Sequence, residues 1–509
     1  MKKFILGFIF SGIITSASAD FTQSGYYRVQ NYGSGRWASM VDDKGDADLT
    51  AGSADLHALT LTKDTDYILS DPGSIVYITK LSGSQYDLAA QGTTFQTLVE
   101  HAISIGADGS ADGQTLYRIY GSYQGVTRYI ADGNIVSSDV YGYATINGTV
   151  NPNYMKWFLL PVEASSNNYL GVVPSVNVNG NLYTTEFTSF AYQPYSEGVK
   201  AYYISRVGFG MAEMVEITGT VPPGSPVVIQ CAGSKVSDNR LQLVNSQDAL
   251  PSNALSGTYF DYKYNKAQNQ VVYDPETMRV LGVCSDGSLG FVTSNISSIP
   301  ANTAYLVVPA GSSREFKCVS SAEFEANIPT APEMIYYNES NILLPQDDYT
   351  YTGTLNIPAS DGANKNINIQ FYTSATASDQ SVIGPEDLTG SNITLQLSDV
   401  VSLPFSYGSK YSWVLPNWEG GEVAVTLNIQ YQYVTFTSKG AGVESIVASN
   451  KNLHYSGGIV YSDEGSEIKI MNMSGQLVKQ SYGNSLDVTS LPKGIYIAVS
   501  NGESLKIVR

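Results

Sequence analysis

The chain has 509 residues, with 46 Asp and Glu against 28 Lys and Arg, and its formal charge of −18 repels phosphate backbones, excluding nucleic acid as an expected partner. A hydrophobic content of 43% with 11% aromatics excludes a disordered acidic chain, and at roughly 100–200 residues per domain the length requires about three to five packed units. Only 15% of residues are charged while Tyr (37) and Gly (47) are abundant, the usage of extracellular β-proteins, because pleated surfaces favour aromatic and β-branched side chains and tight turns need Gly.

In chain order, Lys2 and Lys3 precede the apolar run from Phe4 to Ile14, and Ala17-Ser18-Ala19 stands before Asp20. This pattern predicts a secretory signal peptide over residues 1–19, with small residues at the peptidase positions. The run is shorter than the roughly 20 residues a membrane span requires. No later stretch approaches that length, so no integral membrane segment is expected after signal removal, and no Cys follows the cut to carry a lipid.

Residues 20–163 show a threefold echo of strand, Gly-containing turn and strand. Tyr27-Arg-Val-Gln leads to Arg36-Trp37-Ala38, Tyr77 leads to Tyr86-Asp-Leu-Ala89, and Tyr117 leads to Arg128-Tyr129-Ile-Ala131. The aromatic starts fall 50 and 40 residues apart, a spacing suited to a β-trefoil, and Lys156 to Pro161 supplies a final strand. The Tyr27–Trp37 opening is similar to that of ricin-type β-trefoil lectins. Trp37, Tyr86 and Tyr129 are expected at equivalent positions, as core or as three sugar pockets. The acidic run Asp42 to Asp48 reads as a solvated loop, since Lys44 interrupts the alternating oxygens that calcium needs and no Glu closes the loop.

A polar joint, Glu163 to Asn168, opens a middle β domain over 164–330, to which the sequence assigns no role. It carries its own echo: Val221-Pro-Pro-Gly and Ile299-Pro-Ala-Asn each place a Pro turn before an apolar β run. All three cysteines, Cys231, Cys284 and Cys318, lie here at spacings of 53 and 34 residues. Those spacings fit neither a zinc site nor a C-x-x-C motif; buried thiols are expected, with a single local bridge as the alternative. Ser320 to Pro332 reads as a linker.

Residues 333–438 alternate with period two in Tyr349–Ile357, Asn366–Tyr372 and Val423–Phe436, enclosing the run Tyr411 to Gly421. This segment resembles the β-sandwich modules of outer-surface starch-binding proteins. The resemblance implies a polysaccharide or glycan ligand, with Trp413 and Trp418 as the candidate ligand-binding residues and Lys410, Tyr411, Asn417 and Glu419 near them for hydroxyl groups. The alternative is that both Trp rings fill the sandwich core.

The last segment, 444–509, reads as strand, Ser-Gly turn and strand over Glu467–Lys479, with Ile468, Ile470, Leu477 and Val478 available for burial. A further strand follows within Leu486–Val499, and Leu505–Arg509 closes the chain. It resembles the type A C-terminal sorting domain of type IX secretion, which implies that this segment engages the secretion machinery.

No nucleophile elbow, H-E-x-x-H or phosphate loop occurs. His57, read as lying in a polar loop, and His101 fall in the 20–163 segment and His454 in the last, none of them with a Cys in its segment. The expectation is therefore an all-β, multidomain protein, a β-trefoil-like domain followed by β-sandwich-type domains. It is expected to be secreted or on the outer cell surface, non-catalytic, without cofactor or metal, and binding glycans or host surface components. A structural or adhesive surface protein, and a trefoil-type inhibitor or carbohydrate-active enzyme, are the alternatives.

Overall fold

The computed structural model describes residues 21–40, 55–438 and 453–508, apart from breaks at 92, 95–102, 124–125, 133–140, 146–151, 247, 262, 265–266, 269, 339–340, 362–364, 376–380, 387–389, 398–399, 457–458, 473–476, 490, 492–494 and 501–502. The signal segment, the Asp42–Asp48 loop and His101 lie outside the described residues. Strands dominate throughout, so the molecule is all-β and built of several sheets.

The first unit contains β1 (Gly25–Asn31), β2 (Trp37–Met40), β3 (Asp55–Thr62), β4 (Ile75–Ser82), β5 (Gln85–Ala90), β6 (Thr93–Thr94), β7 (Ile103–Ala111), β8 (Gln114–Tyr123), β9 (Val126–Asp132), β10 (Tyr141–Thr145) and β11 (Trp157–Pro161). Six of them pair in a closed ring, β1–β4–β5–β7–β8–β11 and back to β1. The hairpins β2–β3 and β9–β10 stand off this ring, joined by the β3–β10 pairing. Period-two alternation sends Tyr27, Val29, Ile78, Tyr86, Leu88, Ile105, Ile119 and Leu159 into one core. Trp157 is completely enclosed there because its indole N–H reaches the Ile130 carbonyl at 2.8 Å, satisfying its one polar atom.

The pairing corrects the expected equivalence of Trp37, Tyr86 and Tyr129. Tyr86 lies on a ring strand and is fully buried, whereas Trp37 and Tyr129 lie on the off-ring hairpins and are half-buried. Strand, Gly turn, strand is the local pattern both of a hairpin within the ring and of one standing off it, so the echo does not distinguish Tyr77–Tyr86 from the other two. His57 falls on β3, not in a loop.

In the middle region a ten-stranded sheet carries the duplication that the Pro turns announce. Lys200–Gly208 and Met211–Glu216 form a hairpin, Val227–Cys231 pairs back on the first strand, and Asn181–Glu186 pairs on that. Met278–Val283, Leu289–Val292, Thr303–Val307 and Leu255–Thr258 repeat the order. Glu315–Val319 joins the halves, parallel to one and antiparallel to the other. The two turns match residue by residue: Gly224 and Asn302 both take a left-handed φ, 67° and 57°, which Gly and Asn tolerate best. Phe187 and Tyr259, each just after the outer strand of its half, stack at 4.2 Å with 15° between planes.

The core does not respect the joint at 163–168. Ile75 and Val162 of the first unit share a core with Leu170, Tyr192, Val227 and Ile229 of the middle region, while Phe260 enters the first unit's core. Cys231 and Cys284 are buried and Cys318 is half-buried, all as free thiols. Burial pushes the Cys231 thiol up to about 12 and that of Cys284 up to about 11.

Ser321–Ala326 is a helix capped by Ser320, contrary to the reading of this stretch as linker: the Ser320 hydroxyl accepts the Glu323 N–H at 3.3 Å and Phe324 is buried. Beyond it, eight strands from Ile335–Asn338 to Tyr433–Ser438 close a ring through a single pair, Tyr336 with Tyr372. The sheet Asn366–Ile369, Trp413–Pro416 and Ile393–Thr394 packs on the same core.

The tail is one sheet over Leu453–Ser456, Ile459–Asn472, Leu477–Asp487, Ile495–Ser500 and Glu503–Val508. Ile468 and Ile470 are buried as expected, but Leu477 and Val478, at the start of a strand that pairs on one side, are 51% and 39% exposed.

Candidate functional site

Trp413 is 0% exposed, wedged between Phe371 and Phe436 with centroids at 6.0 and 5.5 Å. Enclosed on both faces, this ring cannot stack on a sugar, which corrects its assignment as a ligand residue; its indole nitrogen has no hydrogen-bond partner. Trp418 differs. It is half-buried beside Gly421, its N–H donates to the Ile357 carbonyl at 3.2 Å, and Ser360 holds its carbonyl at 2.7 Å. Asn417, at φ 48°, turns the chain between the two rings. The strand Trp413–Pro416 puts alternate residues inward, so Trp413 falls on the core face, and the turn puts Trp418 at the rim.

A second aromatic group lies where the middle region meets the eight-stranded unit. Phe209 occupies the hairpin turn between Lys200–Gly208 and Met211–Glu216 at φ 57°, and its N–H donates to the Gln430 carbonyl across the junction. Its ring meets Tyr349 edge-on at 5.0 Å and Phe324 at 6.4 Å. With Tyr431, Leu306, Val307 and Ile328 these rings wall a cleft of about 360 Å³.

The rim of that cleft is charged and fixed. Arg206 donates to Glu213 at 2.6 Å and to Glu325 at 2.7 Å, and its guanidinium lies 4.6 Å above the Phe324 ring. The Arg206 hydrogen bond holds the Glu213 carboxyl at about 2, well below the usual carboxylate range, so the pair stays ionised across ordinary pH. Gln430 anchors the other wall through its amide on the Val207 carbonyl at 3.2 Å.

Across the same junction a polar groove of about 490 Å³ is lined by Glu276, Ser294, Asn295, Arg314 and Ser402. Arg279 at its base is buried and directs its donors to the carbonyls of Pro275, Met278, Ser312 and Ser313. It therefore serves the backbone and has little left for an anion.

Sequence reasoning missed the cleft because its walls come from residues 205–209, 306–328, 349 and 430–431. One signal was available: Ser320-x-x-Glu323 before Phe324 is a helix-start pattern, which would have put Phe324 on a helix instead of a linker. Among the described residues no group of three or more His, Cys, Asp or Glu is placed to hold a metal ion, and no helix is long and apolar enough to cross a membrane.

Fold and tail together define a multidomain all-β protein that is exported. Its route is given by residues 448–509, which match the family model described as the secretion system C-terminal sorting domain. This is a type IX sorting tail, and it directs the protein to the outside of the cell or to its surface. No curated protein matches the chain. Among solved structures, the BSP domain of a biofilm-associated protein aligns at 10% identity over 98% of each chain with a TM-score of 0.10. PorZ, a surface component of the type-IX secretion system of Porphyromonas gingivalis, aligns at 10% identity over 94% of this chain and 81% of its own, also at 0.10. At that score neither likeness carries an argument about fold or function.

Proposed function

We propose that the exported protein is a non-catalytic binding protein that takes a glycan into the aromatic cleft between the middle region and the eight-stranded unit. The observation that carries this reading is the set of half-exposed rings, Phe209, Tyr349 and Tyr431, beside fixed polar groups of Arg206, Ser205 and Gln430 in one cleft of about 360 Å³. A pyranose offers an apolar C–H face for such rings and hydroxyls for such donors. Because Arg206 is already held by two carboxylates, the rim is ordered before a ligand arrives, which lowers the entropy cost of binding. Trp418, half-buried on a separate turn, is a second contact point.

A structural role competes with this reading, supported by the shared core that makes the first unit and middle region one continuous body. A glycan array with the mature protein separates them. Tyr349→Ala is expected to weaken wild-type binding at least tenfold, about what loss of one stacked ring costs, while Trp418→Ala tests the second point. A blank array for folded wild type would sink the glycan reading and leave the structural one.

A further inference from the structure

Glu186 ends the strand Asn181–Glu186 and pairs with Val227. Directly paired residues of an antiparallel ladder share a face, so its side chain enters the core that Val227 shares with Ile75 and Val162 of the first unit. It is 5% exposed, and Oε1 has no hydrogen-bond partner. The hydroxyl of Tyr192, in the same core and 1% exposed, also has none. Here two packed units meet around an acid whose buried Oε1 has no donor in place to share its charge.

The groups around it confirm that. From the first unit comes Asp71, buried, whose carboxyl accepts from the Ser39 hydroxyl, from the Gly73 N–H at 2.8 Å and from the Asn302 side chain; Tyr67 hydrogen-bonds to it. Arg28, the buried cation of this junction, directs Nε to Ser74 at 2.7 Å and Nη1 to Asn168 and Tyr169 at 2.8 Å, and Nη2 has no partner. From the middle region come Tyr192 and the Cys231 thiol. The formal charge that acts on Glu186 is thus that of a second carboxylate, Asp71.

We propose that Glu186 is a proton-operated lock on this junction: as the neutral acid it packs within the shared core, and as the carboxylate it loosens the contact between the first unit and the middle region. An unpartnered carboxylate in apolar surroundings carries a solvation cost that nothing here offsets, whereas the acid is neutral and can donate a hydrogen bond. Burial first, then the Asp71 charge, raise the Glu186 carboxyl well above the usual range, and burial pushes Asp71 up to about 6. Both folded-state values lie above the unfolded ones, so the folded state binds more protons. Stability is greatest below the ordinary carboxylate range and falls as pH rises, Asp71's share of the fall being complete near pH 6 and that of Glu186 continuing above it.

Thermal melts of the mature chain from pH 4.5 to 8.5 test this. Wild type is expected to lose roughly 3–6 °C across the range beyond the common background, and Glu186→Gln, a neutral isostere, to remove most of that slope while Asp71→Asn removes only the part below about pH 6. Equal slopes for wild type and Glu186→Gln would overturn the lock. Should Glu186→Gln fail to fold, hydrogen exchange of wild type decides. Exchange at residues 184–188 and 75–78 that accelerates with pH beyond the intrinsic tenfold per unit supports the lock, and protection that does not change with pH overturns it.

Discussion

At the scale of single residues, the two Trp rings of the run 411–421 show how one turn separates packing from recognition. Trp413 fills the core of the eight-stranded unit between Phe371 and Phe436, and Trp418 rests on its rim with its N–H on the Ile357 carbonyl. Trp413→Ala is expected to cost about 3–5 kcal/mol of stability by opening a cavity, measured by denaturant titration, with glycan affinity of the residual folded protein unchanged. A loss of affinity at full stability would contradict the buried placement. Arg36 and Asp132 make the comparable polar case in the first unit, a bidentate pair at 2.9 and 2.5 Å with the aspartate fully enclosed. Neither residue was marked by local sequence, since they stand 96 positions apart and are brought together only when the hairpins β2–β3 and β9–β10 join through β3 and β10 off the ring.

At the scale of elements, alternation made the strands legible: the run Tyr349–Ile357 and the first part of Val423–Phe436 pair in register, Thr352 opposite Thr426, while the rest of that run turns back at Gln432 into a separate strand, Tyr433–Ser438. The Pro turns were legible as an echo, and the duplication they mark runs through eight strands of the middle sheet. The helix Ser321–Ala326 was hidden because it is six residues long and borders Pro329 and Pro332, which outweighed its cap. Ser320→Ala removes the cap acceptor and is expected to cost about 1 kcal/mol. It should also loosen Phe324, so weaker glycan binding by this variant, whose side chain never touches the ligand, is the readout at the cleft; unchanged exchange rates for the Glu323 amide would mean the cap is idle.

At the scale of the whole molecule, export and body are separable. The tail has its own core of Leu453, Val460, Ile468, Ile470, Val488 and Ile507. Deleting residues 448–509 is therefore expected to leave the melting transitions of the remaining chain in place while the protein no longer reaches the medium or the cell surface, as followed by cell fractionation. Normal export of the truncated chain would count against the tail as the sorting signal. By itself the sequence determined the all-β class, the acidic charge and the sorting tail. These rest on composition, period-two alternation and contiguous motifs, all local along the chain. Only the tertiary structure decided that Tyr86 belongs to the ring, that Trp413 is core, that Phe209, Phe324, Tyr349 and Tyr431 meet in one cleft, and that Glu186 is buried beside the core the first unit shares with the middle region. Each of those depends on which distant strands pair and which side of a sheet is covered, and one residue of register moves a side chain from one face to the other.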